Sequence, residues 1–255
     1  MREKKQKTAP PVSSPKTPEV VYRKKLLALV KSLEKNTNEL ILPLLVQLEP
    51  EYVQDQYAQT LEEAFNNLRN LYIGIRAPAK IISSAFVSVT NAVNRERFNK
   101  SMQSAIGVSL PDILSNEGIG DIIVGSVAEN VSLIQSIPEE YFKKLEGVVF
   151  RGTMSGETSK SLIEEIRAIY PVTENRAKLI ARDQTSKVNS DLNQTRQTNL
   201  GVTEYIWRTA EDGRVRETHR ENNGKTFRWD KPPAATGHPG NDVNCRCVAQ
   251  AIIQL

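Results

Sequence analysis

The sequence predicts a mainly α protein: a helical N-terminal body followed by a small C-terminal α+β module with a few-stranded antiparallel sheet. Three observations lead there. Apolar residues recur at helical spacing through most of the chain, starting at Val20. After Gly201 the repeat shortens to two residues, the period of a strand. The two histidines and two cysteines of the chain, His219, His238, Cys245 and Cys247, all lie in that last stretch, so a segment too short for a large core carries metal-ligating side chains.

The elements follow in order. Residues 1–18 are Lys-rich, hold four prolines and lack apolar periodicity, which predicts a disordered basic tail. The helical body is expected over 19–172. Tyr22, Leu26, Leu29, Val30 and Leu33 form one helical face, and Pro43 should break or kink its continuation. Amphipathic segments around Gln56–Ile73 and Pro78–Phe98 read as bundle helices. The glycines between Gly107 and Gly125 join them to a second helical group, near Ile122–Gln135 and Pro138–Phe150. Ser155 or Thr158 can cap a further helix, which Pro171 should end.

The C-terminal module is expected over 173–255. Thr173 reads as the N-cap of a long helix closed by Gly201, with Ala177, Ile180, Ala181, Gln184, Val188 and Leu192 on its packed face. Arg176, Lys178, Arg182, Lys187 and Arg196 are read as its basic face, either merely solvated or a surface for phosphate or a partner. "TEYIWRTA" puts Tyr205 and Trp207 on one side of a strand and Ile206 and Arg208 on the other. A turn at Asp212-Gly213, a short helical stretch reaching His219 and an Asn223-Gly224 turn of the hairpin type lead into a strand over Lys225–Trp229. "DKPPAATGHPG" is a loop, and "CRCVAQAIIQL" returns to alternation.

Composition narrows the function. The chain has 255 residues, a formal net charge of +4 and 25% charged residues, a mild basic balance that permits nucleic-acid contact without pointing to it. No run approaches the roughly 18 apolar residues of a membrane span. The basic start leads into Pro and Ser and not into an apolar core, so secretion is not expected. A Cys-x-Cys pair is a strained disulfide, and a reducing compartment fits it better.

Two readings of the ligand residues stand side by side. His219, His238, Cys245 and Cys247 supply the four donors of a tetrahedral structural zinc site, which a small loop-rich module needs. Alternatively, Cys245 and Cys247 are small buried hydrophobes, with His219 hydrogen bonded to the loop. Two catalytic patterns fit less well. His219 and Glu221 with the cysteines approach a deaminase motif, but the cysteine spacing is wrong and no central sheet precedes them. A metal-dependent nuclease centre drawn from His219, Asn222, Asn223, His238 and Asn244 lacks an acidic cluster.

The run "LIARDQTSKVNSDLNQTRQTNLGVTEYIWRTAEDGRVRETHRENNGKTFRWDKPP" followed by "NCRC" resembles the C-terminal domain of the Mu F-like minor head proteins of tailed bacteriophages. The matching positions are Ala181 to Thr185, Trp207, Asp212, Arg214, Val215, His219, Gly224, Lys225 and Asn244 through Arg246 to Cys247. Many members carry a Cys-x-x-Cys pair where this chain has Arg216 and His219. The resemblance implies a non-enzymatic protein of head morphogenesis, found in the virion and, during assembly, in the host cytoplasm. It implies contacts with the portal protein and with the major capsid or scaffolding protein, and non-specific contact with double-stranded DNA. No membrane partner is implied.

Overall fold

The computed structural model describes residues 6–49, 55–110, 114 and 117–254. It is mainly helical, with one small antiparallel sheet near the C-terminus. The helices are α1 (Lys16–Leu40), α2 (Leu42–Leu48), α3 (Asp55–Asn70), α4 (Arg76–Ile106), α5 (Gly120–Met154), α6 (Ser159–Asn199) and α7 (Glu217–Asn222). The strands are β1 (Gln6–Thr8), β2 (Glu204–Arg208), β3 (Thr226–Arg228) and β4 (Val248–Gln254), in the order β1-β4-β2-β3. No described helix is long and apolar enough to cross a membrane.

The chain divides into two compact units that do not follow sequential boundaries at 19–172 and 173–255. One gathers the described residues of 1–21, 84–127 and 182–255; the other gathers 22–83 and 128–181. The second unit is helical. Its buried Tyr22, Leu26, Val30 and Leu33 are spaced three or four apart on α1, the spacing that sets side chains on one helix face. Full burial of each such aliphatic contributes about 1.5–3 kcal/mol. Tyr22 Oη donates to Asn130 Oδ1 (2.9 Å) and Tyr141 Oη to Thr37 Oγ1 (2.9 Å), so these two buried hydroxyls are paired.

Two prolines behave differently from the sequence expectation. Pro138 lies inside α5 and Pro171 inside α6, so neither ends its helix, and Thr173 is not an N-cap. A proline within a helix removes one donor and crowds the carbonyl four residues back. Nearby hydroxyls bond the helix backbone in both places: Ser136 Oγ donates to the Leu133 carbonyl (2.7 Å) and Thr173 Oγ1 to that of Ile169 (3.0 Å). Burial of Ile166, Ile169, Ala177 and Ile180 along the same stretch of α6 holds the helix together through the proline. Pro43 does as expected, lying in the first turn of α2 after a break at Ile41.

The disorder expected of 1–18 does not describe residues 6–18; residues 1–5 lie outside the described residues. Strand β1 pairs with β4, Gln6 opposite Gln254 and Thr8 opposite Ile252. The Ala9 N–H bonds to the Ala251 carbonyl (3.1 Å), and Ala9 and Val12 are buried in a cluster with Phe98, Met102 and Val202. The proline-rich stretch has few backbone donors but keeps its carbonyls, and helix side chains fill them. Asn189 and Asn193 both donate to the Val12 carbonyl, Ser101 to that of Pro10 and Arg97 to that of Ser13.

Strands β2 and β4 pair over their length, Glu204 to Ile252 through Arg208 to Val248. The alternation predicted for β2 is present: Tyr205 and Trp207 are fully buried, and their neighbours are half-buried. Tyr205, Trp207, Trp229, Cys245, Cys247 and Ala249 form one core cluster. The Asn223-Gly224 turn is not of the primed hairpin type. Asn223 at φ −57°, ψ 128° and Gly224 at φ +79°, closed by Lys225 N–H to the Asn222 carbonyl (3.0 Å), make a type II turn, which demands glycine at its second central position.

Candidate metal centre

The site is assembled from α7 and the segment that enters β4. Arg216, in extended conformation, starts α7, and its carbonyl accepts the His219 N–H (3.1 Å). One turn of helix thus aims the buried His219 ring at the sheet, edge-on to Trp207 with ring centroids 5.3 Å apart. Cys245 and Cys247, two residues apart and both buried, pack in one cluster with Trp207 and Ala249. His219 Nδ1 lies 3.5 Å from Cys245 Sγ and 3.5 Å from Cys247 Sγ, and the three atoms fall within 4.8 Å of one another.

That spacing suits a single cation. A tetrahedral ion bound to nitrogen at about 2.0 Å and to sulfur at about 2.3 Å sets an N–S edge of about 3.5 Å. The surroundings suit it as well. His219 Nε2 is 2.8 Å from Asp242 Oδ2, the carboxylate partner that fixes a ligating imidazole with its other nitrogen free to bind. The Gly240 N–H points at Cys245 Sγ (3.4 Å). The Trp207 indole N–H is buried without an ordinary hydrogen-bond acceptor, and it favours the thiolate form of Cys247. Hydrogen bonding from Cys247 lowers the Cys245 pKa, whereas the bond to Cys245 and burial hold the proton on Cys247. A divalent cation would displace the proton held on Cys247 and bind both sulfurs as thiolates. This cluster can hold a metal.

The framework uses the motif residues. Asn244 adopts the left-handed region at φ +59°, its N–H donates to Asp183 Oδ1 (2.6 Å), and its Oδ1 accepts from Arg182 Nε (2.8 Å). The loop before Cys245 is thereby clamped to α6. Gly240, at φ +99°, must be glycine because a Cβ there would lie 2.3 Å from Ser190 Oγ. Arg246 grips Asp212 with two guanidinium nitrogens (2.5 and 2.6 Å), and these bonds hold the Asp212 carboxyl down at about 2. The backbone N–H of Trp207 bonds to the Lys225 carbonyl and that of Gly224 to the Trp207 carbonyl, both at 2.9 Å.

His238 is not part of the cluster. Its Nδ1 is 2.9 Å from Tyr205 Oη, it bonds the Trp229 backbone, and it packs on the Trp229 ring at 4.8 Å. Burial lowers its pKa, which keeps the ring neutral within this aromatic box. The expected four-donor set is therefore three donors from the described chain. The residues considered for a nuclease centre do not converge either: Asn222 bonds Thr236, and Asn223 accepts the Thr209 N–H. Glu221 is exposed, away from the role a deaminase would give it.

The supposed basic face is also revised. Arg196 is fully buried, its guanidinium bonded to both Glu117 oxygens, Asn91 and Asn94. It lies four residues past Leu192 on the packed stripe, a spacing that was visible in the sequence. The other cations are engaged nearby: Arg176 with Ser136 and Glu140, Lys178 with Glu174, Arg182 with Asn244 and Lys187 with Asp183. Asp183, which helps orient the site, lies in the motif run Ala181 to Thr185, whereas Asp242 has no role in the sequence reading although it stands three residues before Cys245.

Residues 143–250 match the family model described as Phage Mu protein F like protein. An uncharacterized protein of Haemophilus influenzae is 38% identical over 171 residues, which cover 67% of this chain and 38% of that protein. The chain thus spans less than half the length of this relative. No solved structure matches. His219, Asp242, Cys245 and Cys247 all fall within residues 143–250, the segment that matches the Phage Mu protein F like family model.

Proposed function

We propose that this chain is a minor head protein of a tailed bacteriophage, acting in procapsid assembly through contacts with the portal and the head interior, and carried in the virion. The family match over 143–250 carries this reading, because that segment contains the whole ligand cluster and its clamp. The helical unit offers surfaces for the portal and for the major capsid or scaffolding protein. The protein is non-enzymatic, and its contact with packaged double-stranded DNA is non-specific. Zinc bound to His219, Cys245 and Cys247 is structural, tying α7 to the strand end of a module whose sheet has few strands.

The reading of the cluster as structural has support in its size. The cavity beside it measures about 20 Å³, room for one water and not for a nucleotide. Coexpression with the portal protein of the same phage tests the assembly role. The full chain should copurify with the portal ring, and procapsids made without it should be defective. A chain that ignores the ring, together with normal heads in its absence, would sink the proposal.

A further inference from the structure

We infer that the metal centre is bound by three protein donors and that its fourth position takes an exchangeable, water-sized ligand: water, hydroxide or a small monodentate anion. The inference rests on the zinc reading above and adds to it the class of ligand that completes the shell.

The donor inventory around the cluster supports it. Asp242 approaches the other nitrogen of the His219 ring, so its carboxylate orients the imidazole and does not share the ion held at Nδ1. His238 is committed to Tyr205 and to the Trp229 backbone. The adjoining cavity is bordered by Arg214, Arg216, Asn244 and Arg246. A guanidinium has no lone pair to give a metal. The Asn244 side-chain oxygen is occupied by Arg182. Among the described residues, three histidine and cysteine side chains form the group.

Size and charge define what fits. A space of about 20 Å³ accepts one small molecule, since a water needs roughly 10–15 Å³ by this measure. Zn²⁺ with two thiolates and a neutral imidazole carries no net charge, so adding an anion meets no anionic barrier from the core. The arginine rim favours negative charge. Arg246 faces Asp212 and Arg216 lies 3.6 Å from Asp242, which temper that preference and keep the site open to neutral water. Loading the ion releases whatever thiol protons the pair still holds, and afterwards an anion replaces water one for one without redox change.

Cobalt(II) provides the probe, because its visible spectrum reports the coordination shell. The full-length protein, stripped and reloaded with Co²⁺, should bind one ion per chain, and thiocyanate should shift its d–d bands saturably. Arg216→Cys places a third thiol one helical turn before His219, on the rim of the same cavity. This variant should raise sulfur-to-cobalt charge-transfer intensity about 1.5-fold and abolish the thiocyanate response. A wild-type spectrum unmoved by saturating thiocyanate overturns the inference while leaving the metal reading intact. Failure to bind Co²⁺ or Zn²⁺ at all overturns both. Because the wild-type titration decides alone, an Arg216→Cys chain that does not fold leaves the test whole.

Discussion

Two buried polar sites in the same unit are closed in different ways. Around Arg196, opposite charges and amides meet within the chain: a guanidinium, the Glu117 carboxylate, Asn91 and Asn94, with Asn94 in turn bonded to Asn189 and Asn193. Around His219, three lone-pair donors converge, backed by Asp242, Gly240 and Trp207. The first site balances its charge from its own residues. The second gathers donors around a point that suits a cation. Burial therefore carries different meanings in the two places, and only the second predicts a dependence on metal.

The sharpest way to break this contrast is Arg196→Met. Removing one partner of a buried ion pair strands Glu117 and the amides, and urea unfolding should show a loss of about 3–5 kcal/mol that zinc does not change. Adding Glu117→Gln to that variant should recover part of it. Next in size is Asp242→Asn, which weakens the hold on the His219 ring. Zinc affinity, measured by competition with a chromophoric chelator, should fall about 10–100-fold with little change in the stability of the stripped protein. An unchanged affinity would remove Asp242 from the metal centre.

The smallest effect concerns pH. Burial depresses the pKa of His238 in the folded chain, so its contribution to stability is present above the unfolded value near 6.5 and is lost as pH falls through the folded value. Denaturation midpoints at pH 7.5 and 5.5 should differ more in the wild type than in His238→Gln. Equal differences would mean that the aromatic box does not disfavour the protonated ring.

Much of the fold was legible in the sequence because periodicity reports burial directly. The α1 face and the β2 alternation are cases where side-chain spacing alone decides the environment. What escaped depends on partners distant in sequence. No local signal in residues 6–13 announces that Asn189 and Asn193 will accept responsibility for the Val12 carbonyl, so order there looked like disorder. Arg196 was misread because its charge outweighed its position, although it continued the packed stripe of α6. His219, Cys245 and Cys247 were found by scarcity, which cannot separate them from His238. The separation comes from Tyr205 and Trp229, which engage both faces of chemistry on that ring.

The pairing of β1 with β4 also sets an order of events at the ribosome. Gln6 is made 248 residues before its partner Gln254. At about 5–20 residues per second the interval between them is roughly 12 to 50 s. The helical unit of residues 22–83 and 128–181 is fully synthesised before the sheet is complete, so it is free to fold while β1 waits. The waiting strand reads Gln-Lys-Thr and runs into two prolines, a sequence ill-suited to pairing with strangers. A segment that reads as a loose basic tail is thus one edge of the sheet, and it waits for β4 to emerge and receive it.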